Sequence, residues 1–371
     1  MLTLFSHYFL YGSQRCTIRG RLRHANNAKE STVKKGSIKD SPRLEDVAQR
    51  AGVSISTASK ALHDNPRVSL KTRQLVQRVA QELSYAPNAL AQSLVTGLSG
   101  TVGLITSDMS GRFCTQIMMG AENVLGSRSM SVLLTNARAD PTLEAMHVRK
   151  LLSLKVDGLI LMGRETDPRP SLSNDIPVPV TYAYAPSEDP NDASVTCDNV
   201  GAGRMAVEHL ISCGRSRIAI IGGDPSFTAA TDRTQGSLEA LEEAGLEPVG
   251  PIRYGTWHGS WGRGATRLLL DQKLDFDAII CQNDQIARGC IDVLKERGLR
   301  IPEDVAVIGH DNWTDVVDVA RPSLTDIDNC AVDIGRRAAE MLLDAINGKP
   351  HHGIELLDCK LIQRESTVPL G

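Results

Sequence analysis

The sequence predicts an α/β protein: a small all-α unit near the N-terminus and a short hinge helix, followed by a large two-lobed body of doubly wound parallel sheets. Three observations carry that expectation. Residues 44–62 hold two short helical patterns joined at a glycine, with a third just beyond. From residue 101 onward, short apolar runs alternate with longer amphipathic ones, the pattern of parallel strands joined by helices. The charge also changes sign along the chain. Residues 1–40 carry eight Lys/Arg against two Asp/Glu (+6), residues 41–98 seven against four (+3), and the remainder 26 against 38 (−12), for −3 overall. A basic front on an acidic body is the electrostatic footprint of a unit that faces phosphates.

The first 40 residues differ from everything after them. MLTLFSHYFLYG is apolar but short, lacks a basic leading segment and makes a poor secretory signal. The stretch that follows is basic, polar and aperiodic, so it is expected to be disordered. It is either a basic arm or a stretch ahead of a downstream start, and the second is the expectation.

In 44–51, Leu44, Val47, Ala48 and Ala51 recur at helical spacing. Gly52 can take the left-handed conformation that ends a helix. Ser54 can cap a second helix from Ile55 to about Leu62. Two small helices around such a turn make a helix-turn-helix, whose second helix lies in the DNA major groove with its first residues at base edges. A plain helical hairpin is the competing reading. Ser69 can cap a third helix, with Leu70, Val76, Val79, Ala80 and Leu83 on its apolar side. Pro87 stops that run. Asn88 can cap a short helix over 89–95, which Gly97 ends.

Strand-like runs follow at 101–107, 131–137, 157–163, 179–184, 217–223, 277–283 and 304–310. Most are continuously apolar, as strands buried on both faces must be. Helical runs such as 141–154, 202–214 and 285–298 separate them. Seven strands are too many for one small sheet, so two lobes are expected, with ligands bound between them at the carboxyl ends of strands.

The segment DVAQRAGVS, then T-A-S, VS-KTR and Y-A-PN-A-A-SL, resembles the headpiece and hinge of the lactose-repressor (LacI/GalR) family of bacterial transcription regulators. The resemblance runs from about Leu44 to about Thr367. It implies a headpiece at 41–86, a hinge helix at 87–98 and a periplasmic-binding-protein-like core at 99–371 that binds effector and dimerises. Within that core it implies lobes of roughly 99–198 and 199–325, the C-terminal segment completing both. It places Ile55, Ser56, Thr57, Ser59, Lys60 and Arg67 of the headpiece, with Asn88, Ala91 and Leu94 of the hinge, at operator DNA. Leu94 matches the leucine that wedges between base pairs from the minor groove. No leucine heptad follows the core, so a homodimer rather than a tetramer is expected.

The expected effector site gathers Ser107, Arg112, Phe113, Tyr184, Arg233, Trp257, Asn283 and Asp311 at strand ends and adjoining loops. Ser107, Arg233, Trp257, Asn283 and Asp311 fall where sugar-responsive members of the family contact inducer. The chemistry suits a polyhydroxylated ligand: Asp and Asn pair with hydroxyls, Arg fixes an oxygen, and an aromatic face covers the C–H face of a sugar ring. Tyr184 stands where the lactose-responsive member has an acidic residue, and Met162 where it has an asparagine. Both make the pocket less polar. Asp311 or Asp284 could instead cap helices, and Trp257 could be core. The Asp198–Asn199 pair matches a family motif near the crossover, where it either touches ligand or holds the loop.

Other function classes do poorly. IGGDPSF after a strand is neither a dinucleotide nor a nucleotide glycine motif, and no G-x-S-x-G or H-E-x-x-H appears, so no enzyme and no cofactor are expected. The eight cysteines form no C-x-x-C pair; free thiols fit the reducing cytosol, and a cytoplasmic protein is expected. No apolar run approaches ~18 residues, so no membrane partner is expected. A solute-binding receptor would need a secretory signal and no headpiece. A regulator answering to a non-sugar metabolite or to a partner protein remains the alternative.

Overall fold

The computed structural model describes residues 42–85, 97–109, 111–172 and 176–368. They fall into two compact units, divided at Pro87–Asn88. The expected disordered arm and the expected hinge helix, including Asn88, Ala91 and Leu94, lie outside the described residues.

The first unit is a bundle of α1 (Leu44–Ala51), α2 (Ile55–Leu62) and α3 (Leu70–Glu82). Gly52 sits at φ 67°, the left-handed position that ends α1. The Ser54 hydroxyl accepts from the Thr57 amide at 3.1 Å and the Ser69 hydroxyl from the Thr72 amide at 3.2 Å, so both caps form as their residue types require. Val47, Ala48, Ala58, Ala61, Val76, Val79 and Ala80 close the core between the three helices. Leu70 departs from expectation. It is 62% exposed, because it is the first residue of α3 and lies ahead of the turn that carries the apolar stripe.

The second unit holds two sheets. The first is six-stranded and parallel, in the order β10-β5-β4-β3-β1-β2. Its strands are β1 (Thr101–Thr106), β2 (Ser131–Asn136), β3 (Gly158–Met162), β4 (Val180–Ala183), β5 (Ala193–Cys197) and β10 (Gly353–Leu357). The second has the order β11-β9-β8-β7-β6, made of β6 (Ile218–Ile221), β7 (Ala278–Cys281), β8 (Ala306–His310), β9 (Thr325–Asp328) and β11 (Lys360–Ile362). Only β11 runs antiparallel to its neighbour. All seven strand-like runs became strands. The four that sequence reading left out, β5, β9, β10 and β11, are short and mix polar with apolar residues. β2 is an edge strand, and its side chains are only partly covered.

The helices of this unit are α4 (Cys114–Ser127), α5 (Pro141–Ser153), α6 (Asn199–Ser212), α7 (Thr228–Glu243), α8 (Gly259–Asp271), α9 (Asp284–Glu296), α10 (Thr314–Val317) and α11 (Ala331–Ile346). Three helix pairs meet backbone to backbone at reciprocal glycines. A Cβ on Gly120 of α4 would lie 1.9 Å from the Val332 carbonyl oxygen, and one on Gly335 of α11 1.9 Å from that of Ile117. Gly203 with Gly236 does the same for α6 and α7, and Gly262 with Gly289 for α8 and α9. Gly236→Ala is expected to cost about 3 kcal/mol, since a methyl group against backbone cannot be absorbed by a rotamer change. Denaturant unfolding checks this; a variant within 0.5 kcal/mol of wild type (on the order of measurement error) would show that α6 and α7 can move apart freely.

The chain passes between the lobes three times: from β5 to α6, from β9 to α11, and from β10 to β11. These crossovers place the ends of both sheets along one cleft.

Candidate functional site

In the first unit, Ile55, Ser56, Lys60 and Arg67 are exposed, while Thr57 and Ser59 are half-buried. Ile55 is 48% exposed at the start of α2, an apolar side chain set where a capped helix begins. Thr57 is tied to the cap, its hydroxyl 2.8 Å from that of Ser54. Together they leave one face of α2 with a methyl-rich end, small hydroxyls and a cation one turn later, a set able to read base edges.

In the second unit, six of the eight expected effector residues converge at the cleft. Asp311 follows β8 and Arg112 lies on the loop after β1, and their side chains meet across it at 2.7 Å. Arg233 of α7 approaches the same carboxylate at 3.8 Å. Asp311 and Arg233 are nearly fully buried, while the Arg112 side chain keeps 23% exposure. Burial works against the Arg112 charge, but Asp311, with Tyr184, Asp284 and Glu165 adding to it, holds the guanidinium pKa above its ordinary value. Phe113 and Tyr184 pack ring to ring with centroids 4.8 Å apart, and Arg112 sits over Phe113. Arg233 sits 5.9 Å from the centroid of Trp257, which packs in turn near Phe227.

Local structure fixes each group. Arg233 Nε donates to Asn199 Oδ1 at 2.8 Å, and a terminal nitrogen donates to the Gln282 carbonyl at 2.6 Å. Asn199 therefore holds a cleft residue, and Asp198 caps α6 through the Gly201 amide. Asp311 caps no helix: α10 begins after Trp313 without a side-chain cap. Asp311 accepts instead from Asn329 Nδ2 at 2.9 Å, and Asn329 Oδ1 lies 2.5 Å from His310 Nε2. Burial, with Arg233 and Arg112 nearby, holds the His310 pKa well below its ordinary value, so the ring is neutral and donates to Asn329. Asp311 and Tyr184 both have positive φ, 106° and 72°. Such backbone strain on non-glycine residues is tolerated where a side chain must be aimed.

Two expected residues take other positions. Asn283 is fully buried: its Oδ1 caps α9 through the Ile286 amide at 2.8 Å and its Nδ2 donates to the Trp257 carbonyl at 3.0 Å. It holds the tryptophan loop rather than offering a free amide. Ser107 follows β1 half-buried, its hydroxyl oxygen covered and without a hydrogen-bond partner. The Trp257 ring nitrogen is covered and unpartnered in the same way, its ring lying flat against Gly223. Met162, also noted in the sequence, is buried in the core.

Sequence reading missed Trp313, whose ring centroid lies 5.8 Å from the Arg112 guanidinium, although it lies only two residues past Asp311. It also missed Asp326, which no local pattern marks. Asp326 Oδ1 accepts from the Asn312 amide at 3.0 Å, and Asp284 Oδ2 from the Trp313 amide at 2.6 Å, so two buried carboxyls pin the loop that carries Asp311. Their other oxygens, Asp284 Oδ1 and Asp326 Oδ2, both border the space beside Gly309. Burial, opposed by the Asp326 hydrogen bond, pushes Asp284 up to about 7, and burial with the Asp284 charge pushes Asp326 well above the carboxylate range. A single proton held between those two oxygens would relieve both carboxyls. Among the described residues no group of His, Cys, Asp and Glu could hold a metal ion, and no helix is long and apolar enough to cross a membrane.

Residues 43–88 match the model of the bacterial regulatory proteins of the lacI family, and residues 207–367 that of a periplasmic binding protein-like domain. The transcriptional regulator CelR of Thermobifida fusca is 35% identical over 335 residues, covering 88% of this chain and 98% of that protein. The transcriptional repressor CytR of Escherichia coli is 32% identical over 331 residues, covering 87% and 96%. Among solved structures, the lac repressor dimer bound to operator and the anti-inducer ONPF matches with a TM-score of 0.68 at 28% identity, covering 88% of this chain and 99% of that one. A CelR–cellobiose complex matches with a TM-score of 0.58 at 32% identity, with the same coverage.

Proposed function

This chain belongs to the lacI family of bacterial transcriptional regulators, and we propose that it is a cytoplasmic homodimeric repressor that releases or grips operator DNA according to a carbohydrate bound between its lobes. The observation that carries the effector site is the meeting of Arg112, Asp311 and Arg233 across the cleft, flanked by Phe113, Tyr184, Trp257 and Trp313. Charged groups there can bind hydroxyls and aromatic faces can cover a sugar ring. The unpartnered Trp257 ring nitrogen supplies a further hydrogen-bonding group. Similarity to CelR, solved in complex with cellobiose, supports the same ligand class. Tyr184, packed against Phe113 at the cleft, favours a ligand with more apolar contact than a lactose-type inducer.

Control follows from linkage. The Arg112–Asp311 pair joins the first lobe to the second without ligand, so a ligand that binds Asp311 better in one lobe arrangement shifts the population toward it. DNA affinity then changes by the ratio of ligand affinities for the two arrangements. A thermal-shift screen of the full chain with cellobiose, other sugars, sugar phosphates, polyols and nucleobases tests the ligand class. Ligand at a hundredfold over its Kd stabilises by about 2.7 kcal/mol, which is readily seen. Stabilisation by a nucleobase and by no carbohydrate would replace the reading with a regulator of another metabolite.

Two headpieces on a two-fold dimer would read a near-palindromic operator. Lys60 is exposed on α2 and can donate to guanine acceptors. Lys60→Ala is expected to relax preference at one base pair per half-site, at roughly 1–3 kcal/mol. Operator selection from a random DNA library reads this directly, and an unchanged sequence preference would remove Lys60 from base contact.

A further inference from the structure

Each of the three passages between the lobes carries a cysteine at or beside the crossing. Cys197 is the last residue of β5, Cys330 stands between β9 and α11, and Cys359 stands between β10 and β11. All three are buried and free. Cys197 and Cys359 are near enough for each thiol to act on the titration of the other. Backbone pairing fixes their approach: Cys197 is in register with Leu357, the Asp198 amide donates to the Leu357 carbonyl, and the Cys359 thiol reaches the Asp198 carbonyl at 3.7 Å. The Cys330 thiol reaches the Asp328 carbonyl at 3.6 Å.

We propose that Cys197 and Cys359 form a reversible disulfide under peroxide-class oxidants, tying two of the three crossovers together and fixing the lobes relative to one another. A cavity of about 200 Å³ bordered by Cys197, Thr166, Thr196, Thr228 and Asp232 gives a small oxidant a place beside the sulfur. Hydrogen bonding from Cys359 and the nearby Arg233 charge draw the Cys197 thiol below its ordinary pKa, against the burial that raises it, so Cys197 is the nucleophile. Its thiolate attacks one peroxide oxygen, the O–O bond breaks, and hydroxide leaves with the thiol proton as water. The Cys359 sulfur then attacks the Cys197 sulfenic sulfur. It displaces the hydroxyl, which leaves with the Cys359 proton as a second water. Two thiols lose two electrons and peroxide gains them.

The chain supplies its own control. Cys281 and Cys290 are likewise near neighbours, but they lie in the interior of the second lobe, and burial first, then Cys290, pushes Cys281 well above the thiol range. The experiment treats the folded full chain with hydrogen peroxide, alkylates free thiols without reduction, and maps peptides by mass spectrometry. A Cys197–Cys359 linkage is expected at least tenfold above any Cys281–Cys290 linkage, and dithiothreitol should remove it. Cys197→Ser and, separately, Cys359→Ala should abolish it, and Cys330→Ser should retain it. Amide exchange at residues 197–199 and 357–360 should slow in the oxidised protein. A linkage that forms only after unfolding, one that joins Cys330 instead, or one that leaves exchange at the crossovers unchanged would overturn the proposal.

Discussion

Asp311→Ala is expected to abolish the effector response and also to destabilise the ligand-free protein by about 3 kcal/mol. The second effect follows from what the carboxylate touches. Arg233 is nearly fully buried and Arg112 mostly so, and both lie against Asp311. Removing one member of a buried charge pair leaves the other uncompensated, which typically costs 3–5 kcal/mol, about the scale expected here. The lower end applies because Arg112 can turn toward water, and Arg233 keeps its bonds to Asn199 and to the Gln282 carbonyl. The loss should be smaller in the Arg112→Ala/Asp311→Ala double variant than in Asp311→Ala alone, since the double change removes the stranded charge as well. Urea unfolding of the three variants beside calorimetry with the effector separates the two roles. Wild-type stability together with an intact effector response in Asp311→Ala would place the site elsewhere, with Trp313 and Trp257 next to test.

Asp326→Asn should raise stability, and by far more at pH 8 than at pH 5. Asp284 is raised from 3.8 to about 7 and Asp326 well above its ordinary range, the pattern expected of two buried carboxyls that hold one proton between them. An acid whose folded pKa is raised binds its proton more tightly in the folded state. Stability is therefore undiminished near the unfolded pKa, falls as pH rises from there, and stops falling above the folded pKa. A shift of this size corresponds to on the order of 4 kcal/mol across that window. The groups facing the pair are Asp311, Arg112, Cys281 and the Asn312 and Trp313 amides. Among them, only Arg112 carries a positive charge to offset a second negative one. An asparagine at 326 can keep the acceptor to Asn312 and donate to Asp284 Oδ1. Melting curves of both proteins across pH 4–9 check this; parallel curves would mean that the two carboxyls do not share a proton.

The strands and caps were legible because local chemistry decides them. Ser54, Ser69 and Gly52 act within three residues of themselves, and most of the seven strands seen in the sequence announce themselves by unbroken apolar runs. Cleft residues such as Arg233, Trp257 and Asp311 could be placed because strand ends in doubly wound sheets converge, and a family resemblance fixed which ends. β10 and β11 were not readable, since GIELL and KLI are short and half-exposed, and they pair only with strands far back in the chain.

The sequence by itself determined the three-helix headpiece, the alternation that builds two α/β lobes, and the residue types gathered at the cleft. Tertiary structure alone decided what those residues do there. Asn283 caps α9 and holds Trp257, whereas Asp311 spans two arginines. Trp313 backs Arg112, and Asp284 meets Asp326 from 42 positions away. Caps and periodicity depend on neighbours within a turn of helix or a pleat of strand. The charge, burial and proton state of a cleft side chain depend instead on groups brought together through the three crossovers, and no window of sequence contains those groups.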